Sequence, residues 1–251
     1  MAGVKLWRYY DLIKFLTLVN GELYFARADV FQDKYEGAVP KQSCLQFMEQ
    51  IRHKNSQALG EEVRRRFREN FNERKKKAAI SCWHINDGES AAMWEVYSKA
   101  GLGIAVCTTL EKLKKIHKPR DMELEMFKVD YIDFDREYRE DYKHYELLPF
   151  KNKRKEFEYE HEFRIMLYKN KPGAGQGETP ENMFLSGLMD LPEEGIKLPV
   201  NAAEMIDEIV ASPHMKKYEV AEIQRILDLI NENKGTDFSI RQSKLYENLE
   251  Y

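Results

Sequence analysis

The feature that most constrains the fold is a stretch in which charged and apolar residues alternate. Residues 156–167 read EFEYEHEFRIML. Because successive side chains of a β-strand point to opposite faces, this period of two predicts a strand. One face would carry four glutamates, Arg164 and Met166, and the other would carry aromatic and aliphatic side chains together with His161. The pattern is typical of an antiparallel strand with its charged face in water, but it also fits a strand whose acids line a cleft with Arg164 holding them.

The composition permits a large folded core and argues against several classes of protein. The 251 residues are 43% hydrophobic, which is enough for one large domain. Although 33% of the residues are charged, the net charge is only -3, so the chain lacks the global field of a dedicated nucleic-acid or membrane binder. No segment approaches the roughly 20 apolar residues of a membrane span, and the N-terminus has no apolar leader region.

The cysteines indicate the cellular compartment. Cys44, Cys82 and Cys107 lie far apart, and none has a partner at the spacing that zinc sites use. We therefore expect reduced thiols, a cytoplasmic location, no membrane association and no metal site.

Strands and helices follow one another without regular βαβ alternation. The periodicity and turn residues predict helices near 12–19, 89–101 and 220–234, a short helix from Leu110, and strands near 22–27, 78–84, 103–109, 128–134, 156–167, 195–200, 208–213 and 237–246. This order predicts an α+β fold with a central, mostly antiparallel sheet flanked by helices. We expect residues 1–251 to form a single domain.

A polar, helix-prone region spans residues 40–77 and is predicted to be a charged helical insert. It contains basic runs at 64–68 and 73–77. Most charge runs are solvated helix faces. Contact of 64–77 with a nucleic acid is the weaker alternative, because acids interrupt the basic residues and no aromatic platform accompanies them. A glycine-rich segment at 171–182 predicts a loop, but it lacks the spacing of a phosphate-binding loop.

Four segments concentrate residues with functional chemistry. They read LWRYY at 6–10, FARADVFQDKYEG at 25–37, SCWHINDGESAAMWEVY at 81–97 and EFEYEHEFR at 156–164. In this order, and nearly from end to end, the chain resembles the bacterial family catalogued as domain of unknown function 2971. That family often has Asn-Asp-Pro where this chain has Gln32-Asp33-Lys34, so the turn at Asp33 departs from the pattern. The resemblance implies no particular activity.

These segments predict a cleft bordered by Arg8, the 31–36 loop, the 83–97 segment and the acidic strand. Glu160 and Glu162 are the candidate catalytic residues, because two acids on one strand face lie only about 7 Å apart. Such a pair raises one carboxyl pKa unless a cation compensates. The candidate substrate-binding residues are Arg8, Tyr24, Asp33, Glu36, Trp83, His84, Trp94, Tyr97 and Arg164. Some of these candidates also have a purely structural interpretation. Large aromatic residues usually pack in the core, and His84 has no second ligand at the spacing of a metal site.

Two functions fit these residues, and the first is the leading hypothesis while the second is its alternative. One is a regulatory or interaction domain with a protein partner, in a defence or toxin-related system, suggested by exposed charged segments without a complete catalytic set. The other is an ADP-ribosyltransferase-like or NAD-cleaving enzyme that uses NAD. In that enzyme Arg8 would hold a pyrophosphate, Tyr24 or Trp83 would face the nicotinamide, and Glu160 or Glu162 would stabilise an oxocarbenium-like transition state.

A third function is a metal-dependent hydrolase or nuclease. Carboxylate oxygens of Asp33, Glu36 and Glu162 could bind Mg²⁺, although their spacing matches no known motif.

Overall fold

The computed structural model describes residues 3–54, 71–97, 102–138, 147–171 and 188–247. The strands within this part of the chain are β1 Lys5–Tyr10, β2 Glu22–Arg27, β3 Ala79–Ile85, β4 Ile104–Thr109, β5 Glu123–Lys128, β6 Asp130–Ile132, β7 Asn152–Arg154, β8 Glu162–Tyr168, β9 Ile196–Pro199, β10 Glu208–Ala211 and β11 Ile240–Gln242. The α-helices are α1 Leu12–Val19, α2 Lys41–Lys54, α3 Ala91–Tyr97, α4 Leu110–Leu113, α5 Ala202–Met205 and α6 Lys217–Lys234. None of the helices described is long and apolar enough to span a bilayer.

Nine of these strands form one sheet. Its main path runs β11, β10, β4, β1, β3, β2, β9, and β8 pairs with β3 and β5. Every neighbouring pair is antiparallel except β10 with β11. The short strands β6 and β7 form a separate parallel pair. The predicted α+β fold with a mostly antiparallel sheet is therefore confirmed.

The sheet contains a gap on one edge of β3. Strand β8 pairs with β3 along residues 79–84, whereas β1 and β2 share the other edge of β3. Strand β1 pairs with His84 and Ile85, and β2 pairs with Ala79 and Ile80. Within the described residues, the stretch 81–83 between them has no strand partner on that edge.

The peptide groups of Cys82 point into this gap. The N–H of Ile85 donates to the carbonyl of His161, which precedes β8, over 2.9 Å. Because alternate residues of a strand direct their N–H and C=O groups to opposite edges, those of Cys82 face away from β8 and towards the space between β1 and β2. This space is where the candidate site lies.

Helices cover both faces of the sheet. The main core cluster joins apolar residues of the sheet with residues of α1, α4, α5 and α6, including Phe15, Leu113, Met205 and Leu227. Two smaller clusters bury the opposite face, one of them with Met93 and Trp94 of α3. Strand β1 is buried on both faces because it lies in the middle of the sheet.

Local signals set several helix ends as the sequence predicts. Helix α1 begins after Asp11, whose side chain accepts a hydrogen bond from the Lys14 N–H over 2.8 Å, and it ends at Asn20. Helix α6 ends at Gly235, which has a positive φ of 66°. Of the predicted insert, α2 and residues 71–75 are helical, and residues 55–70 lie outside the described part of the chain.

Two predicted strands have different bounds in the structure, and one strand was missed. The predicted strand 156–167 begins only at Glu162, because residues Lys155–Glu160 form a 3₁₀ helix. The predicted strand 128–134 is instead the end of β5 followed by β6. The central strand β1 was not predicted as a strand at all.

Candidate functional site

A cavity of about 550 Å³ opens at the gap between β1 and β2. Nine of the eleven candidate residues line it: Arg8, Tyr24, Asp33, Glu36, Trp83, His84, Tyr97, Glu160 and Glu162. They come from β1, β2, the loop after β2, β3, α3 and the segment that leads into β8. The fold thus brings together residues that are up to about 150 positions apart in the sequence.

Two candidates lie behind the cavity wall. Trp94 is fully buried and packs edge-on against Tyr9, with ring centroids 4.9 Å apart. Its Nε1 donates to Glu89 over 3.0 Å, so Trp94 supports α3 rather than facing a ligand. Arg164 is also fully buried and contacts other lining residues instead of the open space.

A buried cluster of five charged residues forms the acidic wall, and we call it the carboxyl cluster: Glu36, Lys153, Glu160, Glu162 and Arg164. Lys153 Nζ donates to Glu160 Oε2 and, over 2.6 Å, to Glu162 Oε1. Arg164 Nε donates to Glu162 Oε2 over 2.5 Å, and its two terminal nitrogens donate to the two oxygens of Glu36 over 2.6 and 2.9 Å. The paired acids at Glu160 and Glu162 therefore form part of a cleft, whereas Glu156 and Glu158 are exposed.

The backbone at His161 brings the two acids together. Glu160 ends the 3₁₀ helix and Glu162 begins β8, and between them His161 adopts a left-handed conformation with φ 38°. The buried His84 ring fixes the turn, because its Nδ1 lies 2.6 Å from the Glu160 carbonyl oxygen. This turn directs both carboxyl groups to the same lysine.

The two acids have opposite electrostatic character. Burial, followed by the neighbouring Glu162 carboxyl, raises the pKa of Glu160 to about 8. Burial alone would also raise the pKa of Glu162, but Arg164, hydrogen bonding with Glu160, and Lys153 hold it well below the usual carboxyl range. Lys153 remains charged, since Glu162 and Glu160 outweigh burial and raise its pKa. Near pH 7, Glu162 is ionised while Glu160 mostly keeps its proton.

Arg8 occupies the gap on the other side of the cavity. Its Nη1 donates to Ser81 Oγ, and its Nη2 donates to the Tyr24 carbonyl over 3.1 Å. The guanidinium carbon also lies 4.9 Å from the centroid of the Tyr10 ring and 5.8 Å from that of Trp83. Within the described part of the chain, Arg8 forms no ion pair, so its charge faces the cavity without an acid to neutralise it.

The loop after β2 is fixed to the carboxyl cluster. Asp33 accepts a hydrogen bond from Arg154 over 3.0 Å and another from the N–H of Tyr35 over the same distance. Glu36 is bound by Arg164, as described above, and it is nearly inaccessible to solvent. Two ion pairs to β7 and β8 thus hold this loop along one side of the cavity.

Aromatic side chains form the rim. Tyr97 and Tyr159 are 47% and 43% exposed, so the purely structural interpretation, in which large aromatic residues pack in the core, is wrong for Tyr97. Trp83, by contrast, is 1% exposed, and its Nε1 donates to Ser81 Oγ over 3.0 Å. The exposed rings offer faces to a ligand that the buried indole does not.

The residue that sequence reasoning missed is Lys153, which holds both candidate acids. It belongs to a basic run at 151–155 that gives no local sign of burial. Only the parallel pairing of β7 with β6 places Lys153 beneath the acids. Its neighbour Arg154 was missed for the same reason.

The described part of the basic runs contacts this protein itself. Arg74 donates to the Gly37 carbonyl, Lys75 to the Lys34 carbonyl, Lys76 to Glu73 and Lys77 to Asp190. Arg74 and Lys77 are buried, so 73–77 is not the solvated face that was predicted. The run at 64–68 lies outside the described residues, and so does most of the predicted loop at 171–182.

The proposed acidic metal ligands do not form a common set. Asp33 is paired with Arg154, Glu36 with Arg164, and Glu162 with both Arg164 and Lys153. Among the residues described, no group of three or more histidine, cysteine, aspartate or glutamate side chains is arranged to hold a metal ion.

Comparison with known proteins gives one match. Residues 93–165 match the model of the family described as Protein of unknown function (DUF2971). The comparisons with curated proteins and with solved structures gave no match. The matched part includes α3 from Met93 onwards and the segment from Lys153 to Arg164, but not Arg8 or the loop after β2. The predicted resemblance is confirmed over this part: between residues 93 and 165 the chain is similar to the DUF2971 family.

Proposed function

We propose that the cavity binds an NAD-like dinucleotide and that the protein is an ADP-ribosyltransferase-like or NAD-cleaving enzyme. The observation that carries this proposal is the placement of Arg8, without an acidic partner in the described chain, and the Glu160–Glu162 pair on the same cavity. One part of the cavity can bind an anion, and another can stabilise a cation. A dinucleotide with a cleavable glycosidic bond requires both.

Arg8 is suited to bind the phosphate groups. A guanidinium presents several N–H donors in a plane, and charged hydrogen bonds to phosphate oxygens are among the strongest in proteins. Ser81 and the Tyr24 carbonyl orient it with uncharged acceptors, which leave its positive charge available. We therefore assign Arg8 to the pyrophosphate.

Glu162 is suited to stabilise the reacting sugar. When the bond between the ribose C1′ and the nicotinamide nitrogen breaks, its electron pair leaves with nicotinamide and positive charge develops on the ribose. An ionised carboxylate near that carbon lowers the energy of such an oxocarbenium-like transition state. Water or an acceptor nucleophile then forms the new bond to C1′ and loses a proton.

The gap in the sheet supports binding of the nicotinamide ring. The N–H and C=O groups of Cys82 face the gap, and they complement the C=O and NH₂ groups of a ring carboxamide. The aromatic rim provides ring faces beside them. The Cys82 thiol itself takes no part as a thiolate, because burial raises its pKa far above neutral pH.

Two further functions have less support. A regulatory or interaction domain would use the same cavity to bind a ligand without cleaving it, and a protein partner would recognise the bound form. Metal-dependent hydrolysis has less support because Asp33, Glu36 and Glu162 bind to different cations of the chain and, among the described residues, do not form a common ligand set. We place the activity in the cytoplasm, since all three cysteines are free thiols.

The test measures cleavage of NAD⁺ directly. Wild-type protein is incubated with NAD⁺, nicotinamide is quantified by liquid chromatography, and transfer of a labelled ADP-ribose group to protein, RNA and DNA is followed in parallel. We expect nicotinamide release, and we expect Glu162→Gln to lower its rate at least about a hundredfold. Glu158→Gln is the matched control, because Glu158 is exposed and does not line the cavity.

Two results would contradict the proposal. One is the absence of both nicotinamide release and label transfer by the wild type. The other is full activity of a folded Glu162→Gln variant, with folding checked by thermal unfolding. Binding of NAD⁺ without either reaction would instead identify a ligand-sensing regulatory domain.

A further inference from the structure

The carboxyl cluster contains one more acid than it has cations. Within the described chain, Glu36, Glu160 and Glu162 form ion pairs only with Lys153 and Arg164, and all five side chains are buried. Glu36 accepts two hydrogen bonds from Arg164, and Glu162 accepts from both Arg164 and Lys153. Glu160 shares Lys153 and has no cation of its own. Burying an unpaired charge is costly, so the uncompensated carboxyl group is Glu160.

Among the described residues, Glu160 forms an ion pair with Lys153 and with no other side chain. Besides Lys153 and Glu162, the described groups near it are Tyr97 of α3, Tyr131 of β6, Tyr159 of its own 3₁₀ helix, His84 of β3 and the adjacent His161. Burial raises the pKa of the three tyrosines and lowers the pKa of His84, so these four are neutral. The His161 ring stacks on His84, with centroids 5.9 Å apart, and it is exposed to solvent.

Two exposed aromatic rings stand beside this carboxyl group. Tyr97 and Tyr159 both line the cavity, and the Glu160 carboxyl contributes, after burial, to the raised pKa of each phenol. Aromatic faces next to a carboxyl group attract organic cations, because the ring quadrupole and the carboxylate act together. A third ring, Phe157, is already occupied by Lys153 and Arg154, which lie 4.9 and 5.0 Å from its centroid.

We infer that the cavity selects ligands with a flat cationic ring, and that this ring takes the place of the proton on Glu160 when it binds. The proton is released to solvent, and Glu160 becomes the carboxylate that pairs with the ring. The inference rests on the proposed function in placing the ligand in this cavity, but it does not require that the glycosidic bond of the ligand is cleaved. It implies that the oxidised form of a nicotinamide cofactor binds in preference to the uncharged reduced ring.

The exchange of a proton for a cation sets the pH dependence of binding. Below the pKa of Glu160, the ligand must displace a proton, so its apparent affinity increases with pH. From pH 7 to pH 8 we expect an increase of about fivefold, with a plateau above about pH 9. A neutral ring of the same shape gains nothing from this exchange, and its affinity should not increase with pH.

The experiment is isothermal titration calorimetry with 1-methylnicotinamide, a pyridinium cation that the protein cannot hydrolyse to nicotinamide. Nicotinamide is the neutral comparison, and choline is a cation without a ring. Each is titrated at pH 7 in phosphate and in Tris, which differ in ionisation enthalpy. We expect 1-methylnicotinamide to bind at least tenfold more tightly than either comparison and to release close to one proton, seen as a buffer-dependent enthalpy.

Variants then locate the proton. Glu160→Gln should abolish the buffer dependence and reduce the affinity for 1-methylnicotinamide to that for nicotinamide. Glu158→Gln, in the same 3₁₀ helix but exposed, should behave as the wild type. If Glu160→Gln does not fold, the buffer dependence of the wild type still decides the question.

Several outcomes would overturn the inference. They are a buffer-independent enthalpy, equal binding of the cation and the neutral ring, absence of binding of the cation, or choline binding as tightly as the pyridinium. The enzymatic proposal is tested separately: nicotinamide release from NAD⁺ without proton release on binding would leave the proposed function standing and remove only this inference. Proton-linked binding without NAD⁺ cleavage would leave this inference standing and remove the proposed enzymatic function.

Discussion

At one side of the cavity, Lys153 and Arg164 lie buried against three carboxyl groups, while on the other side Arg8 is held by a hydroxyl group and a peptide carbonyl. All three cations are close to the cavity, yet their charges are used differently. The first two neutralise acids of the chain itself. The charge of Arg8 is only oriented, because its protein partners are neutral.

We expect the charges of Lys153 and Arg164 to stabilise the fold and the charge of Arg8 to bind a ligand. Removing a cation from the carboxyl cluster leaves buried acids without compensation, which costs stability. Removing Arg8 takes a donor from the Tyr24 carbonyl, while Ser81 Oγ keeps the hydrogen bond from Trp83; this is a smaller cost, but it removes the positive charge that a ligand would contact. Comparing variants on the two sides therefore tests whether the assignment is right.

The largest expected effect comes from Arg164→Met. It leaves Glu36 and Glu162 buried without their shared guanidinium, so the free energy of unfolding should fall by about 3–5 kcal/mol. Urea unfolding at pH 7 measures this loss. Arg154→Met is the matched control, since Arg154 is partly exposed and, among the residues that the structure describes, pairs with Asp33 alone. If both variants lost the same free energy of unfolding, burial of the carboxyl cluster would not determine how much its ion pairs contribute to stability.

A second variant, Arg8→Met, should act mainly on binding. We expect the affinity for ADP-ribose to fall at least about tenfold, because a charged hydrogen bond contributes about 1.5–3 kcal/mol, while the free energy of unfolding falls by only about 1 kcal/mol. Calorimetry and urea unfolding measure the two effects. Arg8→Lys keeps the charge but not the planar donors, so it should restore only part of the affinity. The comparison fails if Arg8→Met destabilises the protein as strongly as Arg164→Met.

Glu160 should make stability depend on pH. Because its pKa is about 8 in the folded protein and near 4.5 when unfolded, the folded state holds a proton that the unfolded state loses. The stabilisation is complete below the unfolded value and is lost as the pH rises to about 8, with a slope of at most about 1.4 kcal/mol per pH unit. Glu160→Gln removes this dependence. Urea unfolding of both proteins from pH 5 to pH 9 should give curves that diverge, and parallel curves would refute the assignment.

The smallest effects belong to the acids that precede the cluster. Glu156→Gln and Glu158→Gln remove exposed charges, so each should change the free energy of unfolding by less than about 0.5 kcal/mol. Neither should change ligand affinity. A larger change at either position would extend the carboxyl cluster further along the 3₁₀ helix.

Part of this site could be predicted from the sequence because the signal was local. The alternation of charge and apolar residues predicted a strand that includes β8, and the resemblance to the DUF2971 family pointed to Glu160, Glu162 and Arg164 within it. The alternation failed for residues 156–161, because strand pairing begins only at Glu162 with β3 and at Phe163 with β5. Alternation with a period of two shows only that a segment could bury one face as a strand. Whether it forms a strand also depends on whether a neighbouring strand lies beside it to pair with.

Other parts had no local signal. Strand β1 is buried on both faces, so its sequence lacks the alternation that marks a half-exposed strand. Lys153 precedes the acids that it binds by seven and nine residues and looks like part of a solvated basic run. Its role follows from the pairing of β7 with β6, which is a tertiary contact.

The gap along β3 also bears on association between molecules. An unpaired strand edge at the border of a sheet can recruit a strand from another chain, which is a common route to aggregation. Here the unpaired stretch, Ser81 to Trp83, lies inside the sheet between β1 and β2 and is only three residues long. A foreign strand has no room to align with it, whereas a small molecule does. The gap can therefore leave backbone donors and acceptors open without adding a further strand edge along which another chain could pair.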